Sequence, residues 1–369
     1  MTIFEERLKQ LGYILRSSGL DGLAINAGPD LVYFSGLQFH LSERPIIFLI
    51  TPDTNPFIYF PEFEMEKVQK ADIKLIPIPY PEDRSTWSAL LSRIEDTVSI
   101  KNKIIGVNPT SFRFLETDLF QRAFPECTII SAQNVFSELR QTKDDSETAN
   151  IKMAIEIAQA ALENTLPFIT VGKTEREIAN ELVVQLLKAG SDAELPFQPV
   201  VAVGENSANP HAIPSDRKVQ TGDLVLIDWG ARWNGYCSDL TRTFAMANIT
   251  PEFEKIGQIV ESANQSARNV NRTSMTSHQV DQAARNVIVA AGYGTYFTHR
   301  TGHGIGLEVH EEPYIQTGGQ NELKKGMVFT IEPGIYIPNK GGIRIEDNVI
   351  ARDGCLETLT TYPREIKIL

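Results

Sequence analysis

Residues 223–244 read Asp-Leu-Val-Leu-Ile-Asp-Trp-Gly-Ala-Arg-Trp-Asn-Gly-Tyr-Cys-Ser-Asp-Leu-Thr-Arg-Thr-Phe, two apolar runs set about Asn234-Gly235. Asn-Gly between strand-like runs is the strongest short hairpin signal, because a two-residue turn there needs left-handed backbone at both positions. With that turn the register follows: Trp233 stands opposite Tyr236, and Asp228 opposite Thr241. Asp239 then shares a face with Asp228, diagonally adjacent at ~7–8 Å between backbones. A single aspartate is most often a turn or strand-edge residue. Two of them beside apolar strands and on one face repel each other unless a cation lies between them.

The same counting applies to the run 327–337 and to 341–347, joined by Pro338-Asn339-Lys340. That three-residue loop sets Glu332 directly opposite Glu346, a pairing that destabilises a sheet without positive charge nearby. Arg344 shares the face of Glu346 and supplies part of that charge, so a plain Arg–Glu network is the structural alternative for this hairpin alone. His303 lies in Thr301-Gly-His-Gly-Ile-Gly-Leu-Glu-Val-His310-Glu-Glu-Pro313. Its flanking glycines permit close backbone approach and unusual dihedrals, as a ligand site requires. A dinucleotide fingerprint is not met, since no strand, helix and distal acidic residue bracket these glycines. His211, in Asn209-Pro-His-Ala-Ile-Pro214, reads by itself as an ordinary loop histidine.

Asp228, Asp239, His303, Glu332 and Glu346 together form a set of carboxylates with one imidazole, suited to oxygen-loving divalent metals rather than to a thiolate-bound structural zinc. Four carboxylates roughly balance two divalent cations, so the set predicts a site for two.

The rest of the chain sets the frame. At 369 residues, 42% hydrophobic and 22% charged, it is long enough for two globular domains with separate cores. A net charge of −12 argues against a dedicated nucleic-acid or anionic-membrane surface. Cys127, Cys237 and Cys355 are scattered and odd in number, which fits a reducing compartment better than a disulfide framework. The opening residues do not read as a signal or transit peptide, and no apolar run approaches the ~20 residues of a membrane span. A cytoplasmic location is expected.

Strand-like runs at 22–26, 45–51, 56–60, 73–78, 103–107 and 128–131 alternate with helical periodicity at 3–17, 87–94 and 111–124, an α/β pattern. A polar segment, Leu139 to Ser146, leads into a long amphipathic helix carrying Ile151, Ala154, Ile155, Ala158, Ala161 and Leu162. The expected division is an α/β N-terminal domain over 1–136 and an α+β C-terminal domain over 137–369. In the latter, Thr174 with Glu177 forms a capping box, Gly190 a helix stop, Thr250-Pro251 a helix start, and 277–292 a further helix.

In the order Asn-Pro-His-Ala, Leu-Ile-Asp-Trp-Gly, Tyr-Cys-Ser-Asp-Leu-Thr-Arg-Thr, Gly-His-Gly-Ile-Gly-Leu-Glu-Val-His-Glu-Glu-Pro, Thr-Ile-Glu-Pro-Gly-Ile-Tyr and Gly-Ile-Arg-Ile-Glu-Asp, residues 200–350 resemble the pita-bread metallopeptidases of family M24, which include methionine aminopeptidase, prolidase and aminopeptidase P. The α/β domain in front, and Leu139-Arg140 with Lys143 and Glu147 at the junction, resemble the proline-specific branch.

The resemblance implies a creatinase/aminopeptidase-like catalytic fold and hydrolysis of Xaa-Pro bonds in short proline-containing peptides, as a dipeptidase or an aminopeptidase, by a hydroxide bridging two metals. It implies that Asp228 chelates one metal, that Asp239 and Glu346 bridge both, and that His303 and Glu332 complete the second. His310 and His211 would hold the substrate carbonyl and the tetrahedral intermediate, Arg344 would brace the bridging carboxylates, and Glu332 would carry a proton to the leaving nitrogen. Manganese or cobalt is the expected metal, with zinc or iron also compatible, and a homodimer the expected assembly. One departure bears on substrate length: some dipeptidases of the family carry a carboxylate-gripping arginine between the His310 and Glu332 positions, whereas 311–331 here holds only Lys324 and Lys325. Competing readings are a non-catalytic pita-bread peptide-binding module, a creatinase-like carbon–nitrogen hydrolase, and a glycosidase with paired carboxylates, which would give His303 no role.

Overall fold

A computed structural model describes residues 2–272 and 274–369, which divide into two compact units between Arg140 and Gln141. The division falls after Arg140 rather than after Phe136. Residues 137–140 complete the helix Gln133–Arg140, and that helix is tied into the first unit: the Tyr33 hydroxyl donates to Leu139 O and Arg140 pairs with buried Asp30 at 2.7 Å.

The first unit carries one six-stranded sheet in the order Ile76–Tyr80, Phe57–Pro61, Ile47–Ile50, Gly22–Ile25, Ile104–Val107, Thr128–Ser131, mixed parallel and antiparallel. The six strands expected from periodicity are all present. The first-named is shifted, from 73–78 to Ile76–Tyr80, and contains Pro77 and Pro79. Proline cannot donate to a ladder and is confined to sheet edges, which is where this strand lies. Three short helices, Pro29–Ser35, Met65–Gln69 and Gln133–Arg140, escaped the periodicity reading. The first two are too short for a 3.6-residue stripe to repeat.

In the second unit the helices Asp145–Thr165 and Glu175–Lys188 cover one sheet, ordered Lys367–Ile368, Leu240–Ala245, Leu224–Trp229, Val200–Val203, antiparallel except for the parallel edge strand Lys367–Ile368. Ile157, Leu162, Ile178 and Leu182 pack on Val201, Val225, Ile227 and Trp229, and the Trp229 indole donates to Ala158 O at 2.8 Å. The helices Pro251–Arg268 and Ser277–Ala290 cover a second sheet, ordered Glu311–Ile315, Gly302–Gly304, Val328–Ile331, Asp347–Ala351, Leu356–Thr358. Helix starts follow the capping residues: Thr174 and Asp144 form capping boxes, Thr250 precedes Pro251, and Thr276 caps the helix that Gly292, at φ +87°, follows. An isolated bridge between Thr241 and Glu346 joins the two sheets at their seam. Among the described residues no helix is long and apolar enough to cross a membrane.

Both hairpin registers are as counted. Trp233 pairs with Tyr236 and Asp228 with Thr241, with Asn234 at φ +50° and Gly235 at φ +83°. In the second hairpin, Ile331 pairs with Asp347 and Gly334 with Arg344, so the alignment passes through Glu332 and Glu346. Those two residues lie at a break where the ladder opens. Glu332 N–H donates to Thr301 O and Glu346 N–H to Thr241 O, each satisfied by a different strand.

Candidate active site

The five residues singled out by pattern converge at the seam between the sheets, where each stands at a strand end or break. Asp228 lies near the end of Leu224–Trp229, Asp239 just before Leu240–Ala245, His303 in the middle of Gly302–Gly304, Glu332 after Val328–Ile331, and Glu346 between Gly341–Arg344 and Asp347–Ala351. Asp239, His303 and Glu346 are buried and offer ligand atoms within 4.8 Å of one another. His303 Nε2 stands 3.6 Å from Asp239 Oδ2 and 3.5 Å from Glu332 Oε1. The His303 Nδ1 lies 3.1 Å from Gly304 O, and as donor there it turns the Nε2 lone pair toward the carboxylates. Asp228 and Glu332 flank this triplet.

The glycines beside His303 are required by space and not by dihedral. A Cβ on Gly302 would stand 1.9 Å from Thr330 O, and one on Gly304 2.2 Å from Glu312 O. Neither glycine has a positive φ. The strand is squeezed between neighbours on both sides, and only a missing side chain lets the imidazole reach the carboxylates.

Electrostatics shows what the cluster lacks. Asp228 Oδ1, Asp239 Oδ1 and Glu346 Oε1 are buried with no hydrogen-bond partner among the described residues, and buried polar atoms in folded proteins almost always have one. Burial first, then repulsion from Glu346, Asp228 and Glu332, pushes the Asp239 carboxyl well above the usual range. Burial and the charges of Glu332 and Asp228 do the same to Glu346. Glu332 is pushed up to about 7, chiefly by burial. Burial also holds His303 down to about 3, so it stays a neutral imidazole. Orphaned carboxylate oxygens around a neutral imidazole form a donor set for divalent cations, which supply the missing counter-charge.

Arg344 is almost fully buried, and its direct partner is Asp228, not Glu346. It reaches Glu346 through Thr241, whose hydroxyl accepts from Arg344 Nε at 3.0 Å and donates to Glu346 Oε2 at 2.7 Å. Arg344 also donates to the Tyr336 hydroxyl at 2.9 Å and to Pro210 O at 3.3 Å, which pins the loop bearing His211. Behind the cluster, fully buried Asp347 accepts from Arg242 at 2.8 Å and Arg364 at 2.7 Å and pairs with Arg268 at 3.4 Å. Arg242 donates in addition to Glu346 O and Thr241 O, fixing the backbone that carries Glu346.

A cavity of about 850 Å³ opens onto these groups. His211 and His310 line it, both on its exposed side, and the His310 ring stands edge-on to His303 at 4.2 Å. Phe197, Val200, Ile213 and Val309 give it apolar walls. His299, Arg300 and Tyr336 were not singled out from sequence. His299 Nε2 lies 2.9 Å from the Tyr336 hydroxyl, and burial, reinforced by Arg344, lowers His299 to about 4. No local periodicity reaches them, since His299 and Arg300 precede the strand Gly302–Gly304 and Tyr336 lies in Gly334–Ile337, beyond the break at Glu332.

The model of metallopeptidase family M24 matches residues 149–353, and that of the creatinase/prolidase N-terminal domain matches residues 7–142. The chain belongs to metallopeptidase family M24. It is a hydrolase with a creatinase-type N-terminal domain and a pita-bread catalytic domain. The Xaa-Pro dipeptidase of Pyrococcus furiosus is 35% identical over 98% of this chain and 99% of its own. Among solved structures, a dipeptidase from Pyrococcus horikoshii superposes with a TM-score of 0.92 at 37% identity, covering 98% of this chain and all of its own. An X-Pro aminopeptidase from Thermotoga maritima gives 0.86 at 31% identity, over 98% of this chain and 99% of its own. Both dipeptidases and aminopeptidases therefore share the M24 architecture of this chain.

Proposed function

We propose that this M24 enzyme hydrolyses the peptide bond preceding proline in short peptides. The observation that carries the reading is the set of partnerless carboxylate oxygens of Asp228, Asp239 and Glu346, gathered around His303 at the base of a cavity in the ~300–1,000 Å³ range of small-ligand sites. The relatives named Xaa-Pro dipeptidase and X-Pro aminopeptidase support the substrate class.

In this reading Asp228, Asp239, His303, Glu332 and Glu346 hold two divalent metal ions. When bound, such a pair supplies Lewis acidity toward a carbonyl and lowers the pKa of water. The remaining work belongs to the protein. Glu332, at the cavity and 3.5 Å from His303 Nε2, carries a proton to the departing prolyl nitrogen. His310 and His211 donate hydrogen bonds to the substrate carbonyl oxygen and to the charge that develops on it. Arg344 keeps Asp228 and the His211 loop in place, so that these groups are oriented before substrate arrives. The apolar walls hold the Xaa side chain and exclude water.

Oxygen and nitrogen donors support manganese or cobalt, and zinc or iron also suits them. A cytoplasmic location is in keeping with the free thiols of Cys127, Cys237 and Cys355. A homodimeric assembly is carried into this reading from the family resemblance.

The test is hydrolysis of Gly-Pro, Ala-Pro and Ala-Pro-Ala by the purified protein with manganese, with chelator, and as Asp239→Ala. Metal-dependent cleavage that the variant loses is expected. Absence of cleavage with every metal, in a folded protein, would replace this reading with a peptide-binding one.

A further inference from the structure

His211 is exposed at the cavity rim, and its ring makes no hydrogen bond among the described residues. The position of the imidazole is therefore set by the backbone of its loop. Pro210, His211, Ala212, Ile213 and Pro214 all line the cavity. The loop that carries them leaves the strand Val200–Val203 and returns to the first turn of the helix Glu175–Lys188, where Arg176 N–H donates to Ser215 O and Glu175 N–H to Arg217 O, each at 3.1 Å.

Both ends of this loop meet at one side chain. Glu175 is almost fully buried. Its Oε1 accepts from Val203 N–H at 2.7 Å and from Asn206 Nδ2 at 2.9 Å, at the outgoing end. Its Oε2 accepts from Ser215 N–H at 2.9 Å and from the Ser215 hydroxyl at 2.5 Å, at the returning end. No cation pairs with Glu175 among the described residues, and Arg217 beside the returning end is committed to Asp223 at 2.8 Å. A buried charge without a cation is costly, and here four hydrogen-bond donors compensate it. Glu177, two residues on, serves its own helix start by accepting from Thr174 N–H, whereas Glu175 directs its bonds to the loop. Only a carboxylate offers acceptors at both ends. A glutamine in its place would turn an amide N–H2 toward Val203 N–H or toward Ser215 N–H, donor against donor.

We propose that Glu175 is a positioning residue of the reaction: its carboxylate clamps both ends of the loop 203–215 and so holds His211 at the substrate carbonyl. The inference rests on the role given to His211 above. Arg344 touches the same loop at one point, Pro210 O at 3.3 Å, a longer contact than any of the four to Glu175.

The experiment is a double-mutant cycle on the manganese-loaded enzyme with Ala-Pro, comparing wild type, Glu175→Gln, His211→Ala and the double variant. His211→Ala is expected to lower kcat by about 100-fold, the worth of one donor to a developing oxyanion. Glu175→Gln should lower it by about 10- to 100-fold through misplacement of that donor, with manganese affinity unchanged. The double variant should lose no more than His211→Ala alone. Losses that multiply would overturn the proposal, because Glu175 would then act on something other than His211. Hydrogen exchange reads the clamp without turnover. In Glu175→Gln the amide of Val203 or of Ser215, whichever faces the new N–H2, should exchange faster while the helix Asp145–Thr165 does not, and unaltered exchange at both amides would also overturn the proposal. If wild type cleaves nothing, the proposed function fails and the exchange measurement still decides whether the clamp exists. Should Glu175→Gln not fold, Ser215→Ala removes one donor from Oε2 and enters the same cycle at smaller amplitude.

Discussion

Arg344 donates to Asp228 and reaches Glu346, two positions along its own chain, only through the hydroxyl of Thr241. One arginine thereby positions carboxylates from both sheets, and its removal should be felt in both. Arg344→Met strands Asp228 without its cation. Breaking a buried pair from one side costs about 3–5 kcal/mol, and urea unfolding should show a loss of that order with an unchanged m-value. Calorimetric metal affinity should fall in the same variant.

Chelation should lower the melting temperature, and excess manganese should restore it. A ligand at 100 times its Kd contributes about 2.7 kcal/mol of stability. Asp239→Asn separates the two sides of this effect, because it removes one of several crowded buried charges as well as a donor. The variant should lose the metal-induced rise and yet melt at or above the wild-type temperature in chelator. A variant that melts lower than wild type in chelator would show that these carboxylates do not repel one another in the folded protein.

Gly302→Ala tests the squeeze on the His303 strand. The new methyl would overlap Thr330 O, a backbone atom that cannot step aside as a side chain tip does. A loss of about 3 kcal/mol is expected from forced overpacking, and metal affinity should fall with it as His303 is displaced. Chemical denaturation and metal titration of the same preparation check both.

Asp281 offers a pH signature away from the metal cluster. Burial alone would raise its pKa, but hydrogen bonds from Arg285, Thr301 and Thr317 outweigh burial and lower it. A carboxyl whose folded pKa is depressed contributes stability above its unfolded value of about 3.9, and that contribution is lost as pH falls through the lower folded value. Asp281→Asn should therefore cost stability at pH 7 and flatten the acid limb of the stability profile below about pH 4. Melting temperatures from pH 2 to 7 measure the difference.

Where chain geometry has a fixed period, the site was legible from residues alone. Asn234-Gly235 sets the register that places Asp228 opposite Thr241, and a three-residue turn aligns Glu332 with Glu346. The hydrogen-bond partner of Arg344 was not legible, because Asp228 belongs to a different sheet and no local count connects them. Nor was the true reason for Gly302 and Gly304. Sequence permits either unusual dihedrals or close approach, and only the positions of Thr330 O and Glu312 O decide for the second. Pro77 and Pro79 misled for a related reason: a strand's tolerance of proline depends on whether it has one neighbour or two.

The bridge between Thr241 and Glu346 has a temporal meaning as well as a spatial one. Asp228 and Asp239 leave the ribosome long before Glu332 and Glu346, and no segment shorter than 228–346 contains the full donor set. A nascent chain that has not yet reached Glu346 consequently lacks the full donor set, and metal loading becomes a late event that waits for Glu346 and for closure of the seam.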